Sequence, residues 1–209
     1  MNAHAKDAAE ITPRDVLQYW FGELSGGWTT EDRHTLWFGA AAADDAEMRA
    51  KFGGMIARAK NGGLESWRRT PEGLMAFIVL LDQMTRATGR GTAAAFAGDE
   101  SALAACRAGI AAKIDLRMPA AHCRFFYLPL EHSENLSDQE QCVSAFSELM
   151  SRFPRREKEF AESREYARQH LEIIRRFGRF PHRNRILGRP SDAEEERFLR
   201  DGGPRFGQR

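Results

Sequence analysis

The sequence predicts an all-α domain of about eight packed helices, and three observations support this fold class. A threonine followed by a proline opens two segments, at Thr12–Pro13 and Thr70–Pro71, where the hydroxyl caps the helix and the proline fits its first turn. Residues 74–81, "LMAFIVLL", are apolar on every face, which is typical of a helix buried on all sides. Strand signals are almost absent, with no Asn-Gly hairpin and no convincing alternation of apolar and polar residues.

Start and stop signals predict the other helices. The segment from Arg156 to about Gly178 has the apolar spacing of one long helix, and Gly178 is expected to end it. Elsewhere an aspartate or serine precedes a helical segment, and twice a glutamate three residues later completes a capping box. These caps are Asp44 or Asp45, Asp99, Ser137 with Glu140, and Ser191 with Glu194.

Length, charge and composition limit the class of protein. The chain has 209 residues, of which residues 1–10 are expected to form a flexible tail and 11–209 a single domain. A net charge of +1 makes nucleic acid an improbable partner, and no apolar run is long enough to predict a membrane span. The N-terminus has no apolar signal core and the three cysteines have no CxxC spacing, so we expect a cytoplasmic protein with reduced thiols.

One segment concentrates positive charge. Residues 175–189, "RRFGRFPHRNRILGR", contain six arginines and no acidic residue. Arginine pairs in bidentate fashion with phosphates and with carboxylates. The partners are therefore either an anionic ligand or the chain's own acids, and the sequence leaves both alternatives open. The internal acids considered are Glu131, Glu134, Asp82 and Asp99.

Two long motifs carry a family resemblance. "PLEHSE" at residues 129–134 and "RFGRFPHRN" at 176–184, with "DVLQYWFG", "LWFG" and "FIVLLDQMTR", resemble the DUF924 family of bacterial proteins of uncharacterised function. The resemblance runs from about Asp15 to Phe206. It implies a tetratricopeptide-like fold of helical pairs and no established activity. This chain has Met84-Thr85-Arg86-Ala87 where the family tends to have Phe-Pro-Arg-Asn, so Arg86 matches and the residue after it does not.

The motif "EHSE" suggests acid–base chemistry. Glu131 and Glu134 are three residues apart, so they share a face of a helical turn, and His132 points elsewhere. Paired carboxylates raise one another's pKa and can act as acid and base. The spacing matches neither HExxH nor the Glu-x-x-His of di-iron bundles, so no metal site is predicted and any cofactor stays unknown.

The residues after Gly178 suggest a binding loop. Pro181 fixes the turn, which places His182, Arg183 and Asn184 on a connecting segment, where binding groups are common. Arg179 and Arg183 can clamp a phosphate or a carboxylate.

Two hypotheses for the function follow, and whether the protein is an enzyme is left open. In the first, a pocket binds a small anionic ligand, with acid–base or hydrolytic chemistry. In the second, a helical scaffold binds a peptide or protein partner, by analogy with the fold alone. For the pocket, the candidate catalytic residues are Glu131, His132, Glu134 and His182, and the candidate ligand-binding residues are Asp82, Gln83, Arg86, Tyr127, Arg179, Arg183 and Asn184.

The remaining aromatic and histidine residues receive simpler interpretations. Trp20, Trp37 and Phe38 are expected to be core or groove aromatics. His170 is expected to be a core histidine with its hydrogen bonds satisfied, and His34 and His122 to lie on the surface.

Overall fold

A computed structural model describes residues 11–39 and 42–206, so the predicted tail at 1–10 lies outside the described residues. The described chain is a single all-α domain apart from one small hairpin, which confirms the predicted fold class. The tetratricopeptide-like pairing of the helices stays a prediction. The helices are α1 (Pro13–Phe21), α2 (His34–Phe38), α3 (Ala42–Lys60), α4 (Pro71–Ile78), α5 (Thr85–Thr88), α6 (Asp99–Ala111), α7 (Ala120–Phe126), α8 (Leu128–Glu131), α9 (Leu136–Arg152), α10 (Glu157–Phe177) and α11 (Ala193–Arg200).

The hairpin is the feature that the sequence did not predict. Strands β1 (Leu24–Ser25) and β2 (Trp28–Thr29) pair antiparallel through a turn in which Gly26 and Gly27 have positive φ angles. Two residues per strand are too few to produce an alternating pattern, so no strand signal exists to be read. The carbonyl of Gly27 accepts a hydrogen bond from the amide of Ala121, which ties the hairpin to α7.

The two Thr-Pro starts are confirmed, whereas the other caps are displaced. Thr12 forms a capping box with Asp15, and Thr70 accepts a hydrogen bond from the amide of Gly73. The predicted caps of α9 and α11 are wrong by one or two residues, because a neighbouring Asx side chain competes for the same amides. Asn135 caps α9, and Asp192 forms a capping box with Glu195 on α11.

The predicted cap at Asp99 and that at Asp44 or Asp45 are also wrong. Gly98 precedes α6, and the carboxylate of Asp99 pairs with Arg86 instead of capping. Asp44 and Asp45 lie inside the first turn of α3, which begins at Ala42.

A π-helical segment interrupts the most buried helix. Residues 74–81 are all at most 2% exposed, as the apolar run predicts. At Val79–Met84 the helix widens to π geometry, and both the amide and the hydroxyl of Thr85 bond to the carbonyl of Leu80. Such single π turns inside α-helices are frequent at functional sites. This one holds Asp82 fully buried at the centre of the domain.

The π segment and α6 lie in close contact. A Cβ added to Gly98 would lie 2.1 Å from the carbonyl oxygen of Leu81, so only glycine allows this approach. It brings the start of α6, with Asp99, beside Arg86 on α5. Among the described residues, no helix is long and apolar enough to cross a membrane.

Candidate functional site

A cavity of about 800 Å³ opens beside the end of the π segment. This volume lies within the range of sites that hold small organic ligands. Residues of α2, β2, α7, α8 and α10 line it, together with the 3₁₀ turn Pro181–Arg183 and Phe206 near the C-terminus. Six of the eleven candidate site residues line this cavity: Glu131, His132, His182, Gln83, Arg86 and Arg183.

His132 lines the cavity, and the fully buried Asp82 lies behind it. Nδ1 of His132 is 2.7 Å from Oδ1 of Asp82, and the other Asp82 oxygen accepts a 2.6 Å hydrogen bond from Gln83. Burial raises the pKa of Asp82, but His132 and Arg86 outweigh burial and hold that pKa below its usual value. Burial, together with Arg86, lowers the pKa of His132. The ring is therefore neutral, with its proton on Nδ1 toward Asp82 and Nε2 left as an acceptor.

Glu131 is a buried acid beside this pair. It is 3% exposed, and among the described residues none donates a hydrogen bond to its carboxyl oxygens. The nearest cationic or imidazole nitrogen is Nδ1 of His170, 3.7 Å away. Burial, with a contribution from the charge on Asp82, raises the pKa of Glu131 to about 8. At neutral pH Glu131 is a carboxylic acid that can donate a proton.

Arg183 is a buried cation that is incompletely paired. Its side chain is 7% exposed and lies over the rings of Phe96 and Phe180, 4.9 and 4.3 Å from their centroids. Nη1 reaches Asp99 only at 3.5 Å, and Nε has no hydrogen-bond partner within the described ranges. Burial, and then Arg86, lowers the pKa of Arg183 to about 9, so it stays charged at neutral pH.

Two further histidines line the cavity near Phe206. Burial lowers the pKa of His182 to about 3, and its Nδ1 has no hydrogen-bond partner in the described part of the chain. Nδ1 of His170 donates to the carbonyl of Tyr166, as expected of a satisfied core histidine. The ring of Phe206 stacks on His170 with centroids 3.7 Å apart and also contacts His182. The two imidazoles are therefore neutral and partly covered by an aromatic ring.

Aromatic side chains form the opposite part of the lining. Trp37 packs edge-to-face on Phe125, and Phe38 stacks beside the same ring. The guanidinium of Arg124 lies over Trp37 and Phe38, 5.9 and 5.1 Å from their centroids. Phe38 remains 49% exposed, so part of this aromatic wall is open.

Glu134 does not join Glu131, and the predicted pair of carboxylates is wrong. Helix α8 ends at Glu131, so the helical face does not extend to position 134. Glu134 instead accepts hydrogen bonds from both terminal nitrogens of Arg189 and from the amide of Phe180. Burial raises the pKa of Glu134, but Arg189 and the Phe180 amide outweigh it and hold the pKa below its usual value. Glu134 is a structural anion.

Asp82 does not line the cavity but pairs with His132 behind it, and three more candidate ligand-binding residues also lie outside the cavity lining. Arg179 forms a bidentate pair with Glu195, and Asn184 bonds to the same carboxylate. The hydroxyl of Tyr127 donates to Asp115 in the core. Each is held by an internal partner, so the structure gives these three a packing role instead of contact with a ligand in the cavity.

The arginine-rich segment mostly meets the chain's own acids. Arg175, Arg176, Arg179 and Arg189 each pair with a glutamate at 3.2 Å or less. Arg183 is different, because its contact with Asp99 is long and its Nε is unbonded. The internal acids are therefore the partners of these four arginines, and Arg183 is the one whose pairing is incomplete.

Sequence reasoning missed part of the cavity. His170 was expected only in the core, and Arg124 and Phe206 were not singled out, yet all three line the cavity. Arg124 could have been found from its position within the apolar run "AAHCRFFYLPL". A charge on a buried helix is costly unless it meets a partner or a solvent-filled cavity. The expectation that His122 lies on the surface is wrong, since its ring packs against Phe21 and burial lowers its pKa to about 4. Within the described residues no cluster of three or more His, Cys, Asp or Glu is arranged to hold a metal.

Comparisons with known proteins agree with this all-helical architecture. The family model described as "Bacterial protein of unknown function (DUF924)" matches residues 16–203, so the chain belongs to this family. A solved structure of a protein of unknown function, ATU0120 from Agrobacterium tumefaciens, is 31% identical, with a TM-score of 0.70. The match covers 79% of this chain and 89% of that one. Among curated proteins there is no match.

Proposed function

We propose that this protein binds a small anionic organic molecule in the cavity and hydrolyses it by general acid–base catalysis. The observation that carries the proposal is the position of His132, with Asp82 behind it, next to Glu131 in the cavity lining. A neutral imidazole held by a carboxylate and a neutral carboxylic acid are the base and acid that hydrolysis requires. Arg183 supplies the charge that attracts an anion.

The chemistry assigns one proton transfer to each group. Nε2 of His132 takes a proton from water as the water oxygen bonds to the electrophilic atom of the substrate. Glu131 gives its proton to the leaving oxygen or nitrogen as that bond breaks. The imidazolium then returns a proton to the Glu131 carboxylate, so both groups recover their starting states. Asp82 stabilises the imidazolium and keeps the ring in the productive tautomer.

The pH dependence follows from the two pKa shifts. His132 acts only when neutral, and its pKa lies below 6.5, so the rate falls at acidic pH. Glu131 acts only when protonated, so the rate falls as pH rises through about 8. We therefore expect a bell-shaped profile with its alkaline limb near pH 8.

The test is a hydrolysis screen with variants. The purified chain is assayed on chromogenic carboxylic esters, anilides and phosphomonoesters, each carrying a carboxylate elsewhere. We expect turnover in one class, and its loss in His132→Asn and Glu131→Gln but not in the surface control Glu165→Gln. Turnover in no class, or full turnover in both site variants, would overturn the proposal.

The cytoplasmic location and the alternative function as a scaffold are expectations from the sequence. The free, buried thiols of Cys106, Cys123 and Cys142 support a reducing compartment, and we propose the cytoplasm. A scaffold for a peptide or protein partner rests on fold analogy alone.

A further inference from the structure

Four donors on residues of the cavity lining are buried and have no acceptor among the described residues: Nε1 of Trp20 and Nε of Arg33, Arg86 and Arg183. Trp20 and Arg183 are the most buried of these four residues. Trp20 is 2% exposed and Arg183 is 6% exposed. Both groups can only donate, and buried donors of native proteins are almost always satisfied. A ligand that carries acceptor atoms, such as oxygens, would satisfy these donors.

The charges around Arg183 favour a ligand with one negative charge over a ligand with two. Arg86 and Arg183 are balanced by Asp82 and Asp99, the two carboxylates that they contact. Glu131 is neutral below about pH 8, so it adds no charge. An added carboxylate completes the pairing of Arg183 and places one negative charge near Asp82 and Asp99, whereas a phosphate dianion places two charges there and is repelled more strongly.

The donor on Trp20 belongs to the aromatic part of the cavity. Trp20 packs edge-to-face on Phe125, and its carbonyl accepts the Nε1 proton of Trp37. The half-exposed ring of Phe38 extends the same wall. Apolar and π surface of this kind favours a planar ring, which stacks or packs edge-to-face on it.

We propose that the ligand is an aromatic carboxylic acid whose ring carries an oxygen substituent. The carboxylate pairs with Arg183, the ring packs on Phe38 and Trp37, and the ring oxygen accepts from Nε1 of Trp20. The inference rests on the proposed function, since it names the substrate class of the same cavity.

Calorimetric titration with a matched set of small molecules tests the inference. The probes are para-methoxyphenylacetate, its primary amide, acetate, and para-methoxyphenyl phosphate. We expect the aryl acid to bind, and the neutral amide, the ring-free acetate and the phosphate to bind at least about tenfold more weakly. If acetate binds as tightly as the aryl acid, the ring does not contribute to binding and the proposal is wrong. Tighter binding of the phosphate than of the aryl acid would contradict the preference for one negative charge.

Variants separate the two halves of the site. Phe38→Ala changes a half-exposed side chain and is expected to weaken the aryl acid while leaving acetate unchanged, with the exposed Leu116→Ala as control. Arg183→Gln is expected to reduce aryl acid binding about 10- to 100-fold, with the exposed Arg175→Gln as control. Thermal unfolding of each variant shows whether it is folded. Unchanged affinity in folded Phe38→Ala or Arg183→Gln would overturn the assignment.

The binding and hydrolysis experiments distinguish a failure of this inference from a failure of the proposed function. Aryl acid binding without hydrolysis of any ester, anilide or phosphomonoester would support this inference and contradict the proposed function. Hydrolysis of ring-free anionic substrates, with no aryl acid binding, would support the proposed function and contradict this inference.

Discussion

The imidazole of His132 lies 2.7 Å from the carboxylate of Asp82, fifty residues earlier in the chain. The π turn at Val79–Met84 carries the aspartate, and the residue after α8 carries the histidine. The π turn that follows α4 and the end of α8 therefore meet beside the cavity.

Loss of the charge on Asp82 is expected to destabilise the fold. Asp82→Asn removes the only carboxylate that His132 contacts among the described residues and leaves Arg86 with Asp99 alone. Breaking a buried pair of this kind costs about 3 to 5 kcal/mol. For a chain of this size we expect the melting temperature to fall by roughly 6 to 20 °C. Asp201→Asn, at an exposed pair, is the control. Equal melting temperatures for Asp82→Asn and wild type would show that the carboxylate is not charged.

Glu131→Gln is expected to stabilise the protein at high pH. The pKa of Glu131 is about 8 in the folded protein, whereas the ordinary pKa of glutamate is 4.5. The favourable contribution of the protonated acid is therefore fully present below pH 4.5 and is lost as pH rises through 8. Glutamine does not titrate. At about 1.4 kcal/mol per pKa unit, the variant gains roughly 3 to 5 kcal/mol over wild type at pH 9.

Melting curves at pH 5 and pH 9 check this expectation. The difference between Glu131→Gln and wild type should be only about 2 to 4 °C at pH 5 and roughly 6 to 20 °C at pH 9. Other titrating groups cancel in the difference. A difference that does not change with pH would mean that Glu131 has an ordinary pKa.

Glu134→Gln is expected to lower the melting temperature, whereas Glu131→Gln raises it. The Glu134 carboxylate accepts charged hydrogen bonds from Arg189 and the backbone amide of Phe180, and it is only about a quarter exposed. Charged hydrogen bonds contribute about 1.5 to 3 kcal/mol, so the melting temperature at pH 7 should fall by roughly 3 to 12 °C. Glu140→Gln, whose partner Arg175 is exposed, should change it little. A stable Glu134→Gln would point to a functional role instead.

Phe206→Ala is expected to expose His170. The phenyl ring stacks on the imidazole at 3.7 Å, and His170 is only 2% exposed. Without the ring, diethyl pyrocarbonate should modify His170 faster, as followed by peptide mass spectrometry. Leu187→Ala, an exposed apolar truncation elsewhere, is the control. Equal rates in Phe206→Ala and wild type would mean that Phe206 does not cover the site.

The sequence predicted helix type and burial well because these depend on local pattern. The run Leu74–Leu81 is buried as expected, and Thr12 and Thr70 cap as expected. Caps such as Asn135 were missed because several polar residues compete within one turn, and packing decides among them. Local sequence therefore fixes helices better than it fixes their ends.

The site was only partly predictable because its geometry is set by long-range contacts. "EHSE" drew attention to Glu131 and His132, which line the cavity, yet α8 ends at Glu131 and Glu134 pairs with Arg189 instead. The π turn that positions Asp82 has no signature in the apolar run before it. Phe206 reaches the cavity from the far end of the chain.

The proposed chemistry depends on the Nδ1 proton of His132 and the carboxyl proton of Glu131, and NMR can detect the protonation state of both groups. A titration of the wild type would follow the ring nitrogens of His132 and the side-chain carboxyl carbon of Glu131. The account predicts, at pH 7, a neutral His132 with its proton on Nδ1 and a protonated Glu131 that titrates near pH 8. A Glu131 carboxylate that is already ionised at pH 7, or a His132 proton on Nε2, would contradict it.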